Sequence, residues 1–243
     1  MNLVVDIGNT AVKMAVFQQD KLLNKMIFPL ENFSKNFSKS LKTYPELDHA
    51  IVSNVSTEAT TIIKALQNKL KVVVLDSTLP LPFTNLYKTS STLGKDRLAL
   101  VAAAVLNYPE TNVLTIDVGT CVTYDIKTKE EQYLGGAISP GLGIRFKGLH
   151  KFTANLPLVQ VEPVQDYIGT TTYSNILSGV VYGLKMEILG VINSYQTDFE
   201  DLTIILTGGD SQILSIPLKN SIFANSNFLL EGLNFILEFN KTQ

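Results

Sequence analysis

The apolar positions of the chain come in short runs, each closed by a polar or turn residue. Leu3-Val4-Val5 runs into Asp6, the turn residues Gly8-Asn9-Thr10 follow, and a second apolar stretch begins at Val12 and ends at Phe17. Runs of this length read as buried strands, so the opening is a hairpin with a carboxylate at its first strand's end. A third strand is expected over Lys21–Phe28, a polar helix-compatible stretch from Glu31 to about Thr43, and a strand at His49–Ser53. A helix over about Thr57–Leu70 and a strand at Lys71–Leu75 complete a β-β-β-α-β-α-β order, with parallel pairing across the helices. After a loop with Pro80, Pro82 and Asn85, the run Leu98–Ala104 strongly favours helix.

The pattern then starts again. Val113–Asp117 is apolar and ends in an aspartate, Gly119 and Thr120 make a turn, and a strand over Cys121–Ile126 follows. Asp6-x-Gly8 and Asp117-x-Gly119 therefore form an internal repeat, which implies two homologous half-domains, 1–110 and 111–243. Each begins with a three-stranded meander, and the two turns are expected to face each other across a cleft. In the second half, Gly135–Gly143 reads as a glycine-rich bend after the third strand, leading into a helix over about Gly141–Phe152. Thr153–Asp166 is loop-like. Thr172 is placed as the N-cap of a long helix, about Tyr173–Tyr195. Gly179, Gly183 and Gly190 share one face of that helix, which suits close packing against the partner half or a second subunit. Leu202–Leu206 is a late strand before Thr207-Gly208-Gly209-Asp210, either a platform for a flat base or a plain turn. The last helix covers about Leu229–Phe239.

Composition narrows the classes. The chain has 243 residues, is 45% hydrophobic and 17% charged, and has a mean hydropathy of +0.18, which is ample for packed cores. The net charge of −2 implies no general polyanion-binding surface, so no nucleic-acid partner is expected. The lone cysteine, Cys121, excludes an internal disulfide and a cysteine-rich zinc site, and is expected to pack in the core. The two histidines, His49 and His150, show no metal-ligand spacing, and His150 is expected to serve packing or a hydrogen bond. No apolar stretch approaches the length of about 20 residues needed to span a bilayer, and no signal peptide is read at the start. The expectation is a soluble cytoplasmic protein without membrane partners.

The chemistry concentrates at the turns. Gly8 permits close approach of a ligand to the backbone, Asn9 and Thr10 supply donors, and Lys13 supplies charge. Such a turn suits a phosphate chain with a divalent ion; the other reading is an ordinary hairpin with an Asx turn at Asp6. Asp96 lies near a helix start, where it is either a reactive carboxylate or a cap. No Gly-x-x-x-x-Gly-Lys-Ser/Thr sequence is present.

Taken together, these motifs resemble the sugar kinase, Hsp70 and actin superfamily, in which two ribonuclease H-like halves clamp ATP between them. Within it they resemble type III pantothenate kinase over nearly the whole chain. The likeness is carried by Asp6-x-Gly8-Asn9-Thr10-x-x-Lys13, Gly94-x-Asp96-Arg97, Asp117-x-Gly119-Thr120 and Gly135-Gly136-x-Ile138-x-Pro140-Gly141. It continues through Leu149-His150-x-x-Thr153-Ala154-x-Leu156-Pro157, Thr172-x-x-x-Ile176-x-x-Gly179 and Thr207-Gly208-Gly209-Asp210. The resemblance implies an α/β fold of two such halves with a nucleotide cleft between them. It implies transfer of the γ-phosphoryl group of ATP to pantothenate, the first step of coenzyme A synthesis, with a divalent ion such as Mg2+ and a monovalent K+ or NH4+. Asp6, Ile7, Gly8, Asn9, Thr10, Ala11, Val12 and Lys13 match the ATP-binding turn, with Asp6 organising the divalent ion through water and Thr120 adding a phosphate contact. Asp117 matches the monovalent-cation position, and Asp96 the general base. Tyr87, Gly94, Lys95, Asp96 and Arg97 match the pantothenate neighbourhood. Thr172 matches a substrate contact supplied by the partner of a homodimer, so the substrate site would lie at the subunit interface. Two other readings stand beside it: a kinase of the same superfamily for another small hydroxylated substrate, and a non-catalytic accessory or regulatory member.

Overall fold

The computed structural model describes residues 1–8, 11–54, 59–164, 166–214 and 222–241. The chain forms two compact units, 1–107 with 227–243, and 108–226.

In the first unit, β1 (Asn2–Ile7), β2 (Val12–Gln18) and β3 (Lys21–Phe28) make an antiparallel meander. β4 (His49–Asn54) pairs parallel with β1, and β5 (Lys71–Val74) parallel with β4, giving the order β3-β2-β1-β4-β5. Side chains alternate across a strand. Leu3, Val5 and Ile7 therefore point to one face, where they join Phe33 and Phe37 of α1 (Phe33–Thr43) and Ile62 and Leu66 of α2 (Ala59–Gln67). Asn2 points the other way, and its amide donates to Asn234 Oδ1 at 2.7 Å and to Glu238 Oε1 at 2.6 Å. Both acceptors lie on α7 (Phe228–Lys241), which thus docks on the face that also carries Asp6. A two-residue strand, β6 (Thr84–Asn85), precedes α3 (Lys95–Asn107). The small residues of α3 let α7 approach closely, and a Cβ on Gly232 would overlap the Ala99 carbonyl. This packing explains why 227–243 belong to the first unit, although the boundary expected at 110/111 put them in the second half.

The second unit repeats the topology. β7 (Val113–Val118), β8 (Cys121–Lys127) and β9 (Gln132–Pro140) form the meander, with β10 (Thr203–Thr207) parallel to β7 and β11 (Ile222–Ala224) parallel to β10. The order β9-β8-β7-β10-β11 matches β3-β2-β1-β4-β5 strand for strand. The expected duplication of an α/β half is therefore observed, including β11, which the apolar pattern did not announce. α4 (Leu142–Phe152), α5 (Thr172–Leu177), a π-helical turn (Ser178–Tyr182) and α6 (Gly183–Asp198) complete the unit.

Four local expectations are corrected. Gly135 and Gly136 lie inside β9 and not in a bend after it. Gly135 has φ +110°, at the register shift beside Lys127, and a Cβ on Gly136 would overlap the Tyr124 carbonyl; glycine is used here for a bulge and a close strand approach. The N-cap is Thr171, since its side chain and that of Ser174 form the reciprocal capping box, leaving Thr172 as the first helical residue. Cys121 is exposed, because it opens β8 at the sheet end beside the turn. The helical run Thr172–Asp198 is long and apolar enough to cross a membrane by composition, at mean hydropathy 1.4 over its best window. It is a core helix nonetheless: Ile176, Val180, Leu184, Ile188 and Ile192 pack against Leu114, Ile116 and Leu206 of the sheet.

Candidate active site

Asp6 is the penultimate residue of β1, and the ladder gives it two lateral neighbours. The antiparallel register sets Lys13 opposite it, and the parallel register sets Ser53 on its other side. Lys13 Nζ lies 3.6 Å from Asp6 Oδ2, and the buried Ser53 is its direct ladder neighbour on the other side, with its hydroxyl turned toward the same carboxyl. Burial pushes the Asp6 carboxyl above its ordinary value, Lys13 and Ser53 draw it back, and the charge of Asp96 adds to the upward push. Gly8 N–H donates to the Ala11 carbonyl at 3.1 Å. Ile7 and Val12 are buried, so they offer a ligand only backbone. Asn9 and Thr10 lie outside the described residues.

The second group sits at the start of α3, in the same unit. The Asp96 carboxylate folds back, its Oδ1 accepting the Arg97 N–H at 2.9 Å. Gly94 makes room for it, since a Cβ there would stand 2.4 Å from that oxygen. Lys95 is half-buried in the first turn. Arg97 is buried to 4% exposure, with its guanidinium 5.6 Å from the Tyr87 ring centroid, a cation–π arrangement. Tyr87 is fixed in turn by its N–H on Asn85 Oδ1 at 3.0 Å. The structure thus brings Asp6, Lys13, Asp96, Arg97 and Tyr87 into one unit, two carboxylates, two cations and a ring, with the Arg97 side chain buried.

In the second unit, Asp117 occupies on β7 the place of Asp6 on β1. Its ladder neighbours are Thr123 on β8 and Thr207 on β10. A cation and a hydroxyl flank the first carboxylate; two threonines flank the second. Thr207 Oγ1 donates to the Asn225 carbonyl at 2.7 Å, and Thr123 Oγ1 is buried with no hydrogen-bond partner. Gly208 has φ +97° and lies so close that a Cβ would meet Asp117 Oδ1 and the Val118 carbonyl, which only glycine permits. Asp210 N–H reaches the Val118 carbonyl at 3.0 Å, and burial pushes the Asp210 carboxyl up. Thr120 is exposed at the turn. Carboxylate and carbonyl oxygens gathered this way are hard donors suited to a monovalent cation.

Thr172 is exposed and lines a hollow of about 320 Å3 with Leu149, Leu156, Asn175, Ile176 and Gly179. An adjoining hollow of about 540 Å3 is walled by Pro140, Ile144, Arg145 and Gly148. Arg145 braces that wall, donating to Glu187 Oε2 at 2.5 Å and to Ser139 Oγ at 2.9 Å, while Tyr124 OH donates to Glu187 Oε1 at 3.2 Å. Burial and the Glu187 charge push the Tyr124 hydroxyl far up. His150 Nδ1 pairs with the Leu156 carbonyl at 2.8 Å, the hydrogen bond expected of it. Gly179, Gly183, Met186 and Gly190 are exposed at helical spacing, and none of the three glycines has an atom within 4 Å of where its Cβ would be. Close packing of these glycines within the chain is therefore not observed.

Sequence reasoning missed Ser53, Thr123, Tyr124 and Glu187, and named Thr207 only as part of its glycine turn. For Ser53 a signal existed: it closes the apolar run of β4 as Asp6 closes that of β1.

A family model described as type III pantothenate kinase matches residues 2–194. A protein named type III pantothenate kinase from Christiangramia forsetii is 61% identical over 243 residues, covering 100% of both chains. One of the same name from Flavobacterium johnsoniae is 44% identical over 234 residues, covering 96% of each. Among solved structures, a Baf family protein from Campylobacter jejuni superimposes with a TM-score of 0.66 at 20% identity, covering 99% of this chain and 100% of that one. A glucokinase from an Antarctic psychrotroph gives 0.50 at 12% identity, covering 98% of each. At such identities these two show a shared fold alone.

Proposed function

The chain belongs to the type III pantothenate kinase family, and from that membership we infer that it phosphorylates pantothenate with ATP, giving 4′-phosphopantothenate in the first step of coenzyme A biosynthesis. We propose the following division of labour among its residues. The backbone from Gly8 to Lys13, with Asn9, Thr10 and the Lys13 ammonium, takes the phosphates of ATP, and Thr120 adds a contact. Asp6 holds the divalent ion of the nucleotide through water; a hard carboxylate oxygen with a phosphate-seeking lysine 3.6 Å away fits that task. The ion neutralises phosphate charge when bound. Asp117 and neighbouring carbonyls take K+ or NH4+. Tyr87, Gly94, Lys95 and Arg97 bind pantothenate.

Asp96 is the general base. The pantothenate hydroxyl oxygen attacks the γ-phosphorus, its proton passes to Asp96, and the bond to ADP breaks. Phosphoryl transfer asks mainly for positioning and charge compensation. The observation that carries this reading is the Asp96 carboxylate, held over Gly94 at the start of α3, beside Arg97 and within electrostatic reach of Asp6.

A homodimer is proposed on the exposed stripe Gly179, Gly183, Met186 and Gly190, whose small residues invite a second helix, with Thr172 serving the partner's substrate. The enzyme is placed in the cytoplasm, where its substrates are. The test is a coupled ADP-release assay with Mg2+ and K+, comparing wild type with Asp96→Asn. Turnover should fall by about 10²–10⁴-fold while Mg–ATP binding persists. Full turnover by the variant removes Asp96 as base, and no turnover by wild type on pantothenate removes the assignment.

A further inference from the structure

We propose that Ser53 is a positioning residue for the reaction: its hydroxyl, at the end of β4, fixes the Asp6 carboxylate in the orientation that receives the metal–phosphate group. The inference rests on the role given to Asp6 above and adds a residue to it.

The argument begins with the freedom of an aspartate. Rotation of its carboxylate plane is broad and roughly two-fold, so the backbone alone does not orient it. Asp6 has one lateral partner on each side. Lys13 is 44% exposed at its side chain and 3.6 Å away, and its ammonium is the group that leaves for the phosphates when nucleotide arrives. It cannot be the permanent orienting partner. Ser53 can. Its residue is 1% exposed, its side chain is too short to swing away, and β4 is locked between β1 and β5 by parallel pairing on both sides. Directly paired residues in a ladder share a face, so the hydroxyl reaches Asp6 without distortion. The second unit shows that a threonine fits the same ladder position: Thr207 stands beside Asp117 as Ser53 stands beside Asp6. There the hydroxyl donates elsewhere, to Asn225, so orientation by a hydroxyl is a property of the metal-organising half.

The experiment measures Mg–ATP and metal-free ATP binding by titration calorimetry, together with the Mg2+ dependence of turnover, for wild type, Ser53→Ala and the isosteric pair Ser53→Thr and Ser53→Val. Losing one hydrogen bond to a charged group costs about tenfold or more. Ser53→Ala and Ser53→Val should bind Mg–ATP about tenfold more weakly and need about tenfold more Mg2+ for half-maximal rate. Their metal-free ATP affinity and KM for pantothenate should stay at wild-type values, and Ser53→Thr should stay within about twofold of wild type throughout. If Ser53→Ala fails to fold, the threonine–valine pair decides, because only the hydroxyl differs. Equal behaviour of that pair, or equal loss of Mg–ATP and metal-free ATP binding, overturns the proposal. Failure of the underlying reading appears separately, as wild type that does not phosphorylate pantothenate.

Discussion

Replacing Gly94 by alanine tests the geometry of the proposed base with a single methyl group. A Cβ at Gly94 stands 2.4 Å from Asp96 Oδ1, and ordinary contact begins at 3.4 Å, so the carboxylate must retreat by about 1 Å. The atom displaced is the end of a side chain, the backbone φ of Gly94 is not in the left-handed region, and alanine keeps the carbonyl that accepts from Leu98 N–H at 3.3 Å. Stability should therefore change by less than about 1 kcal/mol, within the usual range for a change away from the core. Catalysis should respond much more, since a misplacement of about 1 Å costs on the order of 10²-fold. The prediction is a kcat roughly 100-fold below wild type, with Mg–ATP binding and Tm nearly unchanged. Steady-state kinetics with saturating ATP, beside a thermal melt, measures both. A variant with wild-type kcat would refute the claim that the folded-back carboxylate is the working conformation. A variant that merely unfolds would refute the claim that only a side-chain tip is displaced.

Gly232→Ala should lower stability, because its Cβ meets the backbone of α3 at Ala99 and the helices must part. Overpacking of about 1–3 kcal/mol outweighs the gain of about 1 kcal/mol in helix propensity, and an unchanged or raised Tm by calorimetry would reject that balance. Lys127 is almost fully buried, with Nζ 2.7 Å from both Glu131 Oε2 and the Tyr108 carbonyl. Glu131→Gln, which leaves the buried ammonium with only the Tyr108 carbonyl of these two partners, should cost about 3 kcal/mol by urea unfolding, whereas replacing the pair together, Lys127→Met with Glu131→Leu, should cost little. Burial lowers the Lys127 pKa, so the unfolded chain binds the extra proton between the lowered value and about 10.4. Stability relative to Lys127→Met should consequently rise with pH through that window, and parallel pH–stability curves for the two proteins would contradict it. Met186→Glu places a charge in the exposed glycine stripe. Sedimentation should show a monomer and turnover should fall with it, while a fully active dimer would remove this stripe as the interface.

The repeat was legible because each half writes it the same way, as an apolar strand ending in an aspartate before a glycine turn. Local chemistry of this kind survives in a linear reading. What did not survive is whatever depends on register between distant strands. Ser53 is 47 positions after Asp6 and Thr207 is 90 after Asp117, and only the parallel ladders β1–β4 and β7–β10 make them neighbours. The return of α7 was hidden for a related reason. Asn234 and Glu238 look like solvent-facing polar residues in an amphipathic helix, yet Asn234 is 1% exposed and both accept from Asn2 at the far end of the chain. The N-cap fell one residue away from its expected place because Thr171 and Thr172 are equally good caps in isolation, and the reciprocal bonds with Ser174 decide between them. The two halves also diverged at a position that the alignment of turns does not reveal. The residue opposite the strand-end aspartate is Lys13 in one half and Thr123 in the other. The lysine beside Asp6 balances its charge at 3.6 Å, whereas the two threonines beside Asp117 carry none. The residues at the two flanking ladder positions, Lys13 and Ser53 in one half and Thr123 and Thr207 in the other, thus give the two strand-end aspartates different surroundings on the same fold.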